Sequence, residues 1–204
     1  MRARIALCLV AAGMSFAVSP SVAQAAGDPV VIVGSAVPAK ASTISVGGRE
    51  LMLGYSTRAD VRRAEGRAAN GAYSLPGRNG GGVVVVYKST AGRCERQYTF
   101  PRGSTRVSDF ETTCAAARTY NGVRPGMTAA RAAALSGSTW TDAKFGDRVC
   151  PVVNRVMQMT THPPYLVAWS DGGGALGVEK VDSIGVFSEN ALLFQTARCG
   201  SSTI

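Results

Sequence analysis

Along most of this chain apolar and polar positions alternate in short runs, the pattern of half-buried strands, and helical spacing interrupts it at only two places. Val30 to Val33 reads as a short strand before Pro38, and Ile44 to Val46 as another that stops at Gly47-Gly48. Thr57-Arg58-Ala59-Asp60 then has the form of a capping box, in which a hydroxyl and a carboxylate serve the first free backbone N–H groups of a helix. Val61 and Ala64 share its apolar face, and Gly66 ends it. Thr128, Ala132, Leu135 and Gly137 repeat these offsets in an alanine-rich stretch, whereas the preceding glycines, Gly54 and Gly126, correspond only after a one-residue shift. Strand-like runs follow each helix, as in a duplicated helix-then-sheet unit.

In the first half the runs are Val83 to Lys88, Cys94 to Phe100 and Val107 to Cys114, after a glycine-rich connection from Pro76 to Gly82. In the second they are Val152 to Met159, Tyr165 to Trp169, Val178 to Phe187 and Leu192 to Thr196, divided by Pro163-Pro164, Asp171 to Gly174 and Glu189-Asn190. A hairpin turning about Ser104 sets Tyr98 opposite Phe110, Arg96 opposite Thr112 and Cys94 opposite Cys114. The other face of that hairpin then carries Glu95, Gln97 and Thr99 against Thr113, Glu111 and Asp109, so the period-two pattern independently supports the register. The predicted fold class is α+β: short helices on antiparallel sheet, in two similar helix-plus-sheet units over residues 44–118 and 119–204, preceded by an entry segment over 26–43.

The N-terminal residues change how the cysteines are read. Arg2 and Arg4 precede an apolar run from Ile5 to Val18, and Ala23-Gln24-Ala25 offers a small-x-small cleavage site, so residues 1–25 have the form of a signal peptide. The run is too short for a spanning helix, which needs about 20 residues. Cleavage near Ala25 predicts a secreted protein and removes Cys8, leaving Cys94, Cys114, Cys150 and Cys199 for an oxidising compartment. Four cysteines allow three connectivities. The hairpin register favours Cys94 with Cys114, and elimination then pairs Cys150 with Cys199.

Charge adds a preference for partners. The formal net charge is +9, mostly from arginine, with Lys+Arg 22 against Asp+Glu 13. Such an excess favours anionic surfaces, among them acidic proteins and envelope polymers. No RNA-binding aromatic signature, zinc-ligand spacing or helix-turn-helix pattern points to nucleic acid. Arg58, Arg62, Arg63 and Arg67 crowd the first helix and its exit, with Arg58 and Arg62 one turn apart, and form the candidate basic binding patch. Trp140 and Tyr165 are candidate interface anchors, because large amphipathic rings are enriched where binding energy concentrates.

Catalytic chemistry finds little support. His162, the one histidine, lies in Thr161-His162-Pro163-Pro164, and no Gly-x-Ser-x-Gly nucleophile elbow occurs. Asp109 with Glu111, and Asp142 with Asp147, are sequence-near acids of the kind found in polar turns and solvated strand faces. The glycine runs lack the lysine and following helix of a phosphate loop. No metal or cofactor is expected.

Gly122-Val123-Arg124-Pro125-Gly126-Met127-Thr128, leading into the alanine-rich helix, resembles the helix start of small secreted modules that include the β-lactamase-inhibitory-protein-like proteins and small outer-membrane assembly lipoproteins. The resemblance implies short helices on antiparallel sheet, sometimes in tandem, and protein binding rather than catalysis. The function expected is therefore that of a secreted non-catalytic protein acting on a protein or cell-envelope partner. The alternatives are a secreted hydrolase using His162 with a serine or carboxylate, and a structural envelope protein.

Overall fold

In a computed structural model, the residues described are 28–35, 42–75, 81–142, 144–145, 148–149, 155–170 and 175–188. The expected leader, Cys150, Cys199 and the strand expected over Leu192 to Thr196 lie outside them.

The chain opens with a meander. Strand β1 (Val31–Val33) pairs antiparallel with β2 (Thr43–Val46), which turns through Gly47-Gly48 into β3 (Arg49–Met52). Gly47 and Gly48 have φ of 57° and 80°, the left-handed conformation that a two-residue hairpin turn requires at both positions. Helix α1 (Arg58–Glu65) follows, then β4 (Gly71–Leu75), β5 (Gly82–Lys88), β6 (Glu95–Pro101), β7 (Asp109–Thr112) and β8 (Arg118–Thr119). Next come α2 (Ala129–Ser136), β9 (Thr141–Asp142), β10 (Lys144–Phe145), β11 (Arg148–Val149), β12 (Arg155–Gln158), β13 (Tyr165–Ser170) and β14 (Val181–Phe187). Among the described residues, strands β10 and β11 pair only with each other.

The expected helices form with the expected chemistry. Thr57 Oγ1 accepts the Asp60 N–H, and the Asp60 carboxylate accepts the Thr57 N–H at 2.8 Å, which completes the capping box. The hydrogen bond from the Thr57 backbone holds the Asp60 carboxyl below its ordinary pKa, with the Thr57 hydroxyl adding to the effect. Gly66 and Gly137 close the two helices in the left-handed conformation. The hairpin register also matches: Tyr98 faces Phe110 and Arg96 faces Thr112, and Cys94 and Cys114 form a disulfide with Cα atoms 4.9 Å apart.

The fold class does not match. The described residues are mostly β, with two helices of 8 residues each among them, so α+β overstates the helical share. Nor do the halves carry separate sheets. Strand β7 pairs antiparallel with β14, joining both halves in one eight-stranded sheet of order β4-β5-β6-β7-β14-β13-β12-β9. The strand expected over Val152 to Met159 forms as β12 from Arg155, its first residues lying outside the described ones, and the two-residue β9, which was not expected, pairs with it at the sheet edge. Two disulfides were expected, and the described residues contain one, Cys94–Cys114.

A second sheet of order β3-β2-β1-β8 lies with the helices over one face of the large sheet. Between the layers Val31, Val33, Ile44, Val61 and Ala132 pack with Tyr98, Phe100, Phe110, Met157, Leu166, Ile184 and Val186 in a continuous core. The opposite face carries a smaller cluster of Val156, Val167, Trp169 and Phe187, with Tyr165 packed against it. Trp169 is thus buried, but away from the main core.

The segment before each helix is clamped by matching backbone bonds, to Val107 just ahead of β7 in the first half and to Val181 at the start of β14 in the second. The Val107 carbonyl accepts the Gly54 N–H and the Val107 N–H donates to Ser56; the Val181 carbonyl accepts the Gly126 N–H and the Val181 N–H donates to Met127. The join between the halves depends on a glycine. A Cβ on Gly185 would lie 2.5 Å from the Phe110 carbonyl oxygen and 2.9 Å from the Phe187 ring.

Candidate functional site

The sequence of α1 divides its surface sharply. Val61, Ala64 and Glu65 are buried, while Arg58, Arg62 and Arg63 point outward. Arginines in a last turn complement the partial negative charge of a helix C-terminus, which accounts for part of this arrangement. The remainder is a surface hollow of about 430 Å³ lined by Ala59, Arg62, Arg63, Gly66, Arg67 and Ala68. Its lining thus combines three arginines with three small residues.

These arginines differ in how far their charge is already engaged. Arg63 pairs with Asp60 at 3.2 Å in an exposed contact that screening makes weak. Arg67 lies 3.4 Å from the Asp28 carboxylate, donates to the Lys88 carbonyl, and has a buried Nε with no acceptor. Arg62 makes no ion pair among the described residues. Arg58 faces elsewhere, its guanidinium 4.9 Å from the centroid of the Phe100 ring. The structure therefore brings Arg62, Arg63 and Arg67 together and sets Arg58 apart.

Behind the helix a buried ion pair holds this end of α1 to the sheet. Glu65 projects from the buried face, and Arg96 of β6 grips it with Nε at 2.9 and 3.1 Å and Nη2 at 2.9 Å from its carboxylate oxygens. The Tyr98 hydroxyl donates to the same carboxylate at 2.8 Å. Both charged side chains are shut away from solvent, at 0% and 1% exposure. Burial, followed by the Glu65 charge and hydrogen bond, pushes the Tyr98 phenol well above its ordinary pKa, and burial with the Glu65 charge raises Tyr87. For Arg96 burial acts downward, but the Glu65 hydrogen bonds and charge outweigh it and keep the guanidinium charged.

This triad went unnoticed in the sequence, although a signal was present. The hairpin register already placed Arg96 on the same face as Tyr98, where a charge demands a buried partner. Glu65 sits one helical turn beyond Val61, on that same core-facing side.

The other candidate residues are dispersed. Trp140 is half-buried and donates its indole N–H to the Ala129 carbonyl at 2.8 Å, beside the main core. Tyr165 is half-buried against the smaller cluster on the far face of the sheet. His162 is exposed, and no described serine or carboxylate hydrogen-bonds to it. Asp109 accepts the Ser188 backbone N–H at 2.9 Å, and Glu111 accepts the Ser183 hydroxyl at 2.5 Å, so both acids tie β7 to β14. Asp142 pairs with Arg155 at 3.4 Å, and Asp147 lies outside the described residues. Among the described residues no group of His, Cys, Asp and Glu could hold a metal ion, and no helix is long and apolar enough to cross a membrane.

No protein-family model matches the chain, and no curated protein or solved structure matches it.

Proposed function

We propose that this is an exported, non-catalytic binding protein whose partner, a protein or cell-envelope component, presents anionic groups to the end of α1. The hollow bordered by Arg62, Arg63 and Arg67 carries this reading. Three permanently charged residues border it together, at a helix end anchored by the buried Glu65–Arg96–Tyr98 contacts. Planar, permanently charged forks of this kind suit carboxylate and phosphate groups. A rigid backing reduces the ordering that binding requires.

The experiment compares wild-type protein with R62E/R63E and with R124E/R131E, a variant of equal net charge altered at exposed arginines in the second half. Binding to immobilised polyglutamate at several salt concentrations is the measurement. The site-specific reading expects R62E/R63E to lose at least tenfold in affinity and R124E/R131E to change much less. Equal losses in both variants would reduce the effect to overall charge and remove the site.

A further inference from the structure

Asp28 already does to Arg67 what an external ligand would do. Its carboxylate accepts the Thr90 backbone N–H at 2.9 and 3.0 Å and the Thr90 hydroxyl at 3.3 Å, with Arg67 Nη2 at 3.4 Å and Arg96 Nη2 at 3.9 Å. One carboxylate thus meets a backbone donor, a hydroxyl and two guanidinium groups. It arrives from far away in sequence, on the segment that leads into β1.

Two features make this a receptor that can change occupant. The Asp28 and Arg67 side chains keep 28% and 33% of their surface exposed, so solvent and solutes reach the contact. Arg67 also borders the open hollow and retains its unaccepted Nε donor, so it links the Asp28 contact to Arg62 and Arg63. Arg96, by contrast, is fixed by Glu65 and remains in place whichever carboxylate is bound.

We infer that Asp28 is a resident internal ligand and that the Thr90–Arg67–Arg96 site accepts an aspartate or glutamate side chain from an acidic segment of a protein partner, which displaces it. The inference rests on the proposed binding role of the α1 surface and names its ligand and regulation. An aspartate side chain is what the site holds, with a backbone N–H positioned for it, and this favours a partner's carboxylate over a phosphate-bearing polymer. Because Asp28 is tethered, it competes at high effective concentration, and the free site is only a fraction of the population. The apparent dissociation constant of an external carboxylate rises in inverse proportion to that fraction.

The test titrates wild type and Asp28→Asn with a blocked Gly-Asp-Asp-Gly peptide, its Gly-Asn-Asn-Gly counterpart and inorganic phosphate. D28N is expected to bind the acidic peptide at least about tenfold more tightly than wild type, with R67A/D28N losing that gain. In wild type, saturating acidic peptide should shift the Thr90 backbone amide resonance, a readout that needs no variant to fold. Unchanged peptide affinity in D28N, or an unmoved Thr90 amide, overturns the displacement. A gain for phosphate without one for the peptide overturns the assignment to acidic protein segments. If R62E/R63E weakens polyglutamate binding while D28N changes nothing, the binding surface stands and only the Asp28 exchange fails.

Discussion

Glu65 and Arg96 show what a single buried contact does in this protein. An ion pair removed from water is held only by close geometry, and truncating one partner leaves the other charge buried and uncompensated. Arg96→Met is therefore expected to lower stability by about 3–5 kcal/mol. Glu65→Leu with Arg96→Met should recover much of that loss, and denaturant unfolding of the single and double variants measures both. Tyr98 contributes a pH dependence of defined sign. Its pKa is raised in the folded state, so its contribution is complete below the unfolded value of about 10 and is lost as pH rises further. Absorbance titration should show Tyr98 and Tyr87 resisting ionisation until alkaline unfolding, whereas free ionisation of all tyrosines near pH 10 would contradict this. At this scale the basic patch was half legible. The crowding of Arg58, Arg62, Arg63 and Arg67 at α1 and its exit was visible in the sequence, but not that Arg58 stands apart on Phe100, nor that Asp28 and Arg96, distant in sequence, lie beside Arg67 and Glu65.

Individual elements were read with unequal success, for physical reasons. Thr57 and Thr128 announce helices because their capping hydroxyls act within three residues of chain. The β6–β7 register was legible because one face is polar and the other buried, so a one-residue slip would reverse both. Strand β4 was missed: Gly71, Ala72 and Ser74 have little strand propensity, and pairing with β5 imposes the extended form at an edge. The pairing of β7 with β14 was missed as well, since nothing local distinguishes a central strand from a terminal one. That junction yields its own prediction. Gly185→Ala forces a Cβ against the Phe110 carbonyl oxygen and the Phe187 ring, and overpacking of this kind costs about 1–3 kcal/mol. Hydrogen exchange should show the protection loss centred on β7 and β14, and a uniform loss across the sheet would contradict the assignment.

For the whole molecule, both helices and the small sheet pack over one face of the eight-stranded sheet, and the Glu65–Arg96 contact ties the end of α1 to it. The strand-rich pattern was visible throughout the sequence, yet its division into two helix-plus-sheet units concealed a single sheet shared by both halves. Net positive charge told even less about location, because charge counts do not say which arginines converge. The structure separates Arg58, engaged with Phe100, from the three arginines around the hollow. Binding of polyglutamate to wild type, R62E/R63E and R124E/R131E tests that distinction most directly. A loss of at least tenfold confined to R62E/R63E is the expected result, and equal weakening of both variants would contradict a binding site at the end of α1.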